Sequence, residues 1–219
     1  MGNGGVTWSM KIAVSVGENT VPADLPTLHP DMVEVRLDLG GAGLLDAVQP
    51  VRETACIPVI VTLRSRAEGG KFAGDEREWI RVVRPLLPLT DWVDVELRFR
   101  RHAPEIRKAE KKIVASCHLS GMPDLPQLKV LERDLRSYGD LPKIVVTPKD
   151  ERDLLALCSF TLAAEKPLCT GVSGERFRYA RALLPLFGSE LAYTHAGRPS
   201  APGQYHIREF RELWDLLTK

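Results

Sequence analysis

Two lysines at one predicted strand are the residues best placed for covalent chemistry. The run LPKIVVTP at 141–148 is dominated by valine, Lys143 lies near its start, and Lys149 follows it directly. A lysine is rarely buried without a partner, and a primary amine held away from water can attack a ketone and form an imine. Lys143 shares a strand face with Val145, so it either enters the protein interior or reaches solvent below the strand. The spacing leaves both lysines as candidates.

His118 is the best candidate for proton transfer. It ends a second β-rich run, KIVASCH at 112–118. Histidine titrates near neutral pH and can serve as both acid and base, although a lone histidine is often only a structural residue. The other histidines lie in predicted loops or at helix starts and are weaker candidates; they are His29, His102, His195 and His206.

Charged residues alternate with aliphatic ones in three predicted strands. In MVEVRLDL at 32–39, Glu34, Arg36 and Asp38 share one face and the aliphatic residues share the other. The runs PVIVTLR at 58–64 and WVDVEL at 92–97 repeat this pattern. With one lysine added, the charged faces balance four acids against four bases, namely Glu34, Asp38, Asp94 and Glu96 against Arg36, Arg64 and Arg98.

A charge-balanced interior of this kind is typical of a site for a small polar substrate, because buried ions need partners. A nucleophilic lysine there must lose its proton. Neighbouring arginines favour that loss and carboxylates oppose it, so we expect the reactive lysine to lie nearer the arginines.

These residues are carried by eight β-rich runs that alternate with segments of helical period. That alternation predicts parallel strands joined by helical crossovers. The predicted strands are 11–16, 32–39, 58–64, 92–97, 112–118, 141–148, 167–172 and 191–197. The predicted helices are 43–54, 75–87, 124–137, 150–164, 177–187 and 207–217.

The polar strand faces favour a barrel over an open doubly wound sheet, whose strands are covered on both sides and read as continuous apolar runs. An antiparallel sheet with one wet face would also alternate, but helix-length segments separate these strands. We therefore predict an α/β protein in which 11–219 form a single (β/α)8 TIM-barrel catalytic domain and 1–10 form a flexible leader. His118 then ends a barrel strand at its C-terminal side, where barrel active sites lie.

Composition limits the classes of partner and cofactor. The chain has 219 residues, 44% of them apolar, and 30 Lys and Arg against 29 Asp and Glu, so a disordered chain or a general attraction to nucleic acid or membranes is not expected. Its four cysteines form no C-x-x-C pair, which predicts no zinc cage and favours a reducing cytoplasm. No apolar run is long enough to span a bilayer, and GGKF at 69–72 departs from a phosphate-binding loop.

Taken in order, six motifs resemble the type I 3-dehydroquinate dehydratases, and the resemblance covers nearly the whole chain from Lys11. They are EVRLD at 34–38, TLRSRAEGG at 62–70, the strand-ending His118, PKI at 142–144, Arg181 ahead of FGS, and SAPGQ at 200–204. The resemblance implies conversion of 3-dehydroquinate to 3-dehydroshikimate and water through a lysine Schiff base, in the shikimate pathway of aromatic amino acid biosynthesis. It also implies a cytoplasmic homodimer that uses no metal or organic cofactor.

The resemblance further implies a role for each matching residue. Lys143, by its PKI setting, would form the imine in preference to Lys149, and His118 would be the general acid and base. Arg181, the third of three nearby arginines after Arg176 and Arg178, would bind the substrate carboxylate. The remaining substrate contacts would come from Glu34 and Arg36 at the ring hydroxyls, Arg64 alongside them, the loop acid Glu68, and Ser200 and Gln204 in a lid over the barrel mouth.

Two other hypotheses come from different classes. A class I aldolase-type lyase would use the same imine and barrel but needs a phosphate site near the last strands, which GVSG at 171–174 could imitate. A non-catalytic protein could instead bind nucleic acid through a face formed by Arg176, Arg178 and Arg181. Inhibition by phosphate would favour the first, and steeply salt-dependent DNA or RNA binding the second.

Overall fold

Eight parallel strands form a nearly closed barrel. The computed structural model describes residues 10–17 and 22–219, so the predicted leader lies outside the described residues apart from Met10, which packs against the core. The strands are β1 (Lys11–Val16), β2 (Met32–Arg36), β3 (Val59–Thr62), β4 (Trp92–Glu96), β5 (Lys112–His118), β6 (Leu141–Val146), β7 (Cys169–Val172) and β8 (Leu191–Thr194). Consecutive strands pair from β1 to β7, and β1 also pairs with β8.

No ladder of backbone hydrogen bonds joins β7 and β8 within the described ranges. Hydrogen bonds from the residues beside these two strands close the seam between them. The backbone N–H of Glu190 donates to the carbonyl of Leu168 at 2.8 Å. The Ser189 hydroxyl accepts from the N–H of Thr170 at 3.0 Å and donates to its carbonyl at 3.1 Å. A serine side chain therefore substitutes for a strand partner at this seam.

Helices cover the outside of the barrel, and none of those described is long and apolar enough to cross a membrane. The α-helices are α1 (Leu37–Gly40), α2 (Gly43–Ala55), α3 (Glu76–Val83), α4 (Ala103–Lys108), α5 (Leu125–Arg136), α6 (Glu151–Ala163), α7 (Ala180–Leu183) and α8 (Ile207–Thr218). Short 3-10 helices occupy Leu25–Leu28, Arg66–Glu68, Arg84–Leu89, Leu97–His102 and Leu184–Phe187.

Proline accounts for two of the differences from the predicted helices. The predicted helix 75–87 is α3 followed by a 3-10 helix that contains Pro85 and Pro88, and the predicted helix 177–187 is α7 followed by a 3-10 helix that contains Pro185. Proline lacks an N–H and cannot continue the α-helical ladder. The short helix α4 was not predicted, because its six residues are too few to show a clear period.

Aspartates tie the lower edges of three strand pairs together. Asp31 accepts from the backbone N–H of Ile12 at 2.8 Å, just before β2 begins. Asp91 and Asp140 do the same for Val59 and Ile113, at 2.9 and 2.8 Å, just before β4 and β6. Each carboxylate satisfies a strand-end donor that the ladder leaves free, and so fixes where the next inward-facing residues lie.

The barrel interior changes from apolar to polar along the barrel axis. Its lower half is a plug of buried side chains that Trp92 and Tyr193 pack against: Ala13, Met32, Ile60, Val114, Leu141, Cys169 and Leu191. Its upper half holds most of the charged residues of the predicted polar faces, together with the lysine: Glu34, Arg36, Arg64, Asp94, Glu96 and Lys143. The expectation of a polar lumen is therefore correct for the upper half only, because the inward positions nearest the strand starts are aliphatic.

Gly139 lies two residues before β6, where the chain passes very close to Ala115 of β5. A side chain there would overlap the Cβ of Ala115 and come within 3.0 Å of its backbone nitrogen. We expect Gly139→Ala to lower the free energy of unfolding by about 1–3 kcal/mol, measured by guanidinium denaturation, because the buried strand β5 cannot move aside. Gly121→Ala is the control, since nothing lies within 4 Å of its added Cβ. Equal losses in the two variants would contradict this packing argument.

Candidate active site

A cavity opens at the C-terminal end of the barrel, above the apolar plug. It encloses about 690 Å³ of empty space, counting its open mouth. Of the nine predicted site residues, Glu68 lies behind the wall and contacts two that line the cavity. The other eight line it directly: Glu34, Arg36, Arg64, His118, Lys143, Arg181, Ser200 and Gln204. The structure thus brings together residues from β2, β5 and β6, Arg64 just past the end of β3, Arg181 of α7, and the lid.

Lys143 points into the cavity and is only 5% exposed, whereas Lys149 is exposed. Its Nζ donates to Asp94 Oδ2 at 3.2 Å, lies 3.9 Å from Glu34 Oε1, and sits 3.9 Å from the ring centroid of Tyr193. The expectation that the reactive lysine lies nearer arginines than carboxylates is wrong. The physical reason is that a buried ammonium needs a counter-ion, and Asp94 supplies it.

Arg64 is the centre of the buried charge network. Its Nη1 donates to Glu68, Glu96 and Ser116 at 3.1, 3.1 and 3.0 Å, and its Nη2 donates to Asp94 at 3.0 Å. Burial acts to lower the pKa of Arg64, but the surrounding carboxylates, Asp94 first, raise it above its ordinary value. Arg64 is therefore a fixed cation whose donors are largely used within the protein.

Asp94 joins this network to the lysine. Burial acts to raise the pKa of Asp94, yet the charges of Arg64 and Lys143 outweigh it and hold that pKa below its ordinary value. Ser116 adds a hydrogen bond of 2.5 Å to the other carboxylate oxygen. Asp94 is thus an anion held between two cations, next to the amine that is the candidate nucleophile.

His118 is oriented by Glu68. The Oε2 atom of Glu68 accepts from the backbone N–H of His118 at 2.9 Å, lies 3.0 Å from its Nδ1, and accepts from Arg64 at 3.1 Å. With two donors already on this oxygen, the arrangement favours the imidazole tautomer that carries its hydrogen on Nδ1. Nε2 then keeps its lone pair, which makes it the basic atom of the ring.

Burial shifts the two members of this pair in opposite directions. It raises the pKa of Glu68 to about 8, against the pull of Arg64. It also lowers the pKa of His118 well below its ordinary value, and the positive charges of Arg64, Lys143, Arg36 and Arg181 add to that effect. Near neutral pH the imidazole is therefore uncharged and able to accept a proton.

Glu34 and Arg36 are fixed before any ligand binds. Glu34 accepts from the hydroxyls of Ser15 and Thr62 at 2.6 and 2.9 Å. Arg36 makes two hydrogen bonds of 2.9 Å to the two carboxylate oxygens of Asp38, the geometry in which arginine binds a carboxylate most strongly. Both side chains therefore present a defined polar surface to the cavity.

The structure distinguishes the three neighbouring arginines. Arg176 is exposed and lies 3.9 Å from Glu151, and Arg178 pairs with Glu209 at 3.2 Å. Arg181 lines the cavity, donates from Nη2 to the carbonyl of Pro202 at 3.1 Å, and has a buried Nε with no hydrogen-bond partner in the described part of the chain. Burial lowers the pKa of Arg181 from its ordinary value. Only Arg181 of the three lines the cavity and can meet an anion there.

The predicted lid lies across the mouth. Gln204 accepts from the backbone N–H of Ser200 at 2.8 Å and from its hydroxyl at 3.2 Å. Its amide donates to Ser15 at 3.2 Å and to the carbonyl of Thr194 at 3.1 Å, which ties the loop to β1 and β8. Arg36 adds a long contact of 3.5 Å to the carbonyl of Ser200.

Sequence reasoning missed several cavity residues and misplaced one. Ser15 and Tyr193 lie in predicted strands and line the cavity. Strand parity places each on the inward face, but neither residue type by itself indicates a role in the site. Arg98, expected in the lumen, is exposed, because β4 ends at Glu96 and a 3-10 helix turns the chain outward. Within residues 10–17 and 22–219, no group of three His, Cys, Asp or Glu side chains is placed to hold a metal ion.

Comparisons with known proteins identify a family that this chain resembles along most of its length. A model of the family described as type I 3-dehydroquinase matches residues 16–219. The 3-dehydroquinate dehydratase of Methanoregula boonei is 47% identical over 209 residues, which is 95% of this chain and 100% of that protein. The protein of the same name from Methanospirillum hungatei is 39% identical over 95% of this chain and 82% of its own length.

Solved structures share the fold. The crystal structure of 3-dehydroquinate dehydratase from Geobacillus kaustophilus has a TM-score of 0.84 at 27% identity, covering 95% of this chain and 91% of that one. That of the type I enzyme from Clostridium difficile, with covalently modified comenic acid, has a TM-score of 0.83 at 25% identity, covering 95% and 92%.

The raised pKa of Glu68 makes stability depend on pH. Between its ordinary value of 4.5 and about 8, the folded chain holds a proton that the unfolded chain releases. This contribution is complete below pH 4.5 and is lost as the pH rises through about 8. We expect wild type to lose more unfolding free energy than Glu68→Gln between those pH values, measured by urea denaturation. Glu165→Gln, at an exposed position, should follow wild type, and parallel curves for all three proteins would contradict the shift.

Proposed function

The chain belongs to the type I 3-dehydroquinase family, and we propose that it dehydrates 3-dehydroquinate to 3-dehydroshikimate through an imine on Lys143. The enzyme is thus a 3-dehydroquinate dehydratase of the shikimate pathway. One observation carries the imine mechanism: the Lys143 amine is buried at the cavity floor, beside the anion of Asp94 and on the strand next to His118. Imine chemistry needs an amine, a proton carrier and exclusion of water in one place.

Imine formation comes first. The Nζ atom of Lys143 gives a proton to His118 and attacks the substrate ketone carbon, while the C=O pair moves to the oxygen, which takes a second proton from the nitrogen. The resulting carbinolamine loses its hydroxyl as water with the proton held by His118, and the nitrogen lone pair forms the C=N bond. The product is a protonated imine whose positive charge stays on the same nitrogen. Asp94, 3.2 Å from Nζ, serves as counter-ion before and after this step.

Elimination follows from the same nitrogen. The Nε2 atom of His118 removes the proton at C2, and the electron pair of that bond forms a C2–C3 double bond while the imine pair moves to nitrogen. The nitrogen pair then re-forms the imine and the C2–C3 pair forms a C1–C2 double bond. The C1–O bond breaks, and the hydroxyl takes the proton held by His118 and leaves as water. Hydrolysis of the conjugated imine then frees the product and restores the amine of Lys143.

The remaining contacts orient the substrate. Arg181 is assigned to the substrate carboxylate because it has donor capacity that the described protein atoms do not use. Glu34 and Arg36 are assigned to the ring hydroxyls, with Arg64 beside them. Ser200 and Gln204 cover the substrate from the lid, and Glu68 holds His118 in its reactive tautomer. These placements hold the reacting atoms together and keep water out.

The two other hypotheses find less support in the site. The nucleic-acid hypothesis needs one face that contains Arg176, Arg178 and Arg181, but the first two point outward and the third lines the cavity. The aldolase hypothesis differs from the dehydration that the family performs. We further propose a cytoplasmic location, from the four unpaired thiols, and a homodimer, which the family resemblance implies.

Borohydride trapping tests the imine directly. Incubation with 3-dehydroquinate and borohydride should inactivate the enzyme and add the mass of the reduced ligand to Lys143, measured by peptide mass spectrometry. Lys143→Ala should show no added mass, whereas Lys149→Ala, at an exposed position, should be trapped like wild type. His118→Ala should still be trapped slowly but form little conjugated enone, followed in the ultraviolet. An unmodified Lys143 during turnover would refute the mechanism, and thermal melts must show that each variant folds.

The role of Arg181 is tested by its effect on binding. Arg181→Met removes a charge-assisted hydrogen bond to the substrate carboxylate, so kcat/KM should fall about 10- to 150-fold, mainly through KM. Arg178→Met and Arg176→Met, on the outer surface, should change kcat/KM less than about threefold. A larger loss in either of these two would reassign the carboxylate site.

A further inference from the structure

Tyr193 has a position that the mechanism above does not use. It lies on β8, lines the cavity, and presents its ring face to Lys143 Nζ at 3.9 Å from the ring centroid. Its hydroxyl is buried and has no hydrogen-bond partner among the described residues. A buried tyrosine usually uses its hydroxyl, as Tyr138 does by donating to the carbonyl of Val95 at 3.1 Å. The ring of Tyr193, not its hydroxyl, therefore makes the specific contact.

We infer that Tyr193 is a further catalytic residue, whose ring face stabilises the positive charge on the Lys143 nitrogen through the imine stage. The inference rests on the proposed imine. The face of an aromatic ring attracts a cation, and the attraction is strongest where water is excluded. Lys143 is 5% exposed, so this cation–π contact is largely desolvated. An uncharged imine is a poor electron sink, so a contact that keeps the nitrogen protonated supports removal of the C2 proton.

The ring complements the other groups that face this nitrogen. Asp94 approaches it from β4 and Glu34 from β2, at 3.2 and 3.9 Å, and both favour the cation. The Cys169 thiol on β7 is neutral, because burial raises its pKa to about 11. Burial likewise raises the pKa of Tyr193 well above its ordinary value, so the phenol stays uncharged. His118 on the neighbouring strand β5 is neutral, and Arg64, a like charge, shares Asp94 Oδ2 with Lys143.

The predicted consequence is a pH effect that depends on the ring electrons. When the imine nitrogen loses its proton, elimination stops and kcat falls. The alkaline limb of the pH profile of kcat therefore reports the pKa of that nitrogen. Loss of a cation–π contact should move this limb to lower pH by about 0.5 to 1.5 pH units. At lower pH the imine is protonated in every variant, so the informative quantity is the pH at which kcat falls and not its value on the plateau.

A fluorination series at position 193 tests this without changing the shape of the side chain. Tyr193→Phe keeps the ring and removes only an unpartnered hydroxyl, so its alkaline limb and thermal stability should match or exceed those of wild type. Replacing that phenylalanine by its mono-, di- and trifluorinated forms withdraws electrons from the ring face. The alkaline limb of kcat should then move to lower pH step by step with the number of fluorines.

Three outcomes would overturn the inference and leave the imine mechanism standing. An alkaline limb that stays constant across the series shows that the ring charge distribution has no role. If the alkaline limb of Tyr193→Phe has already moved as far as that of the fluorinated forms, the effect belongs to the hydroxyl and not to the ring. An equal shift in Trp92→Phe would show a non-specific effect, because Trp92 holds a different cation, Lys112, at 5.2 Å. Borohydride trapping separates the inference from the proposed function. If wild type shows no added mass on Lys143, both fail. If wild type is trapped on Lys143 but the alkaline limb of kcat is the same across the fluorinated series, only the inference fails.

Discussion

The site depends on one carboxylate, Asp94, held between two buried cations. It accepts from Arg64 at 3.0 Å and from Lys143 at 3.2 Å, with Ser116 on its other oxygen. An unpaired ion in a protein interior costs several kcal/mol, so neither cation could lie at this depth alone. Asp94 therefore makes it possible to keep an amine away from water without losing it from the cavity. In the proposed mechanism the same carboxylate balances the charge of the imine, so one contact serves both folding and chemistry.

The barrel explains why this charge lies where it does. Inward positions near the strand starts carry side chains that form an apolar plug, and those near the ends of β2, β4 and β6 carry charge. The plug fills the lower end of the lumen, and the lid lies across part of its mouth. Hydrogen bonds and ion pairs are stronger among buried groups than at a surface. The change from apolar to charged along these strands therefore places a buried polar site on top of a structural core.

Much of this arrangement could be predicted from residue parity. Alternation in β2, β3 and β4 indicated the inward faces, and the position of His118 at the end of β5 indicated its proximity to the cavity. Parity fails where a strand ends, which is why Arg98 was misplaced. It also cannot choose between Lys143 and Lys149, because that choice depends on how far the strand extends. The partners of Lys143 lie on three other strands, so no local pattern could show that carboxylates and not arginines surround it.

The three arginines that line the cavity differ in how many of their hydrogen-bond donors the protein itself already uses. Arg36 and Arg64 are paired with Asp38, Asp94, Glu68 and Glu96, so they are rigid before substrate arrives and present only their remaining donors. Arg181 differs, because its described partner is one carbonyl and its Nε is left without a bond. A buried donor without a partner destabilises the empty site. In the proposed function the substrate carboxylate relieves that cost, so the rigid cations define the shape of the cavity and the unsatisfied one contributes to substrate binding.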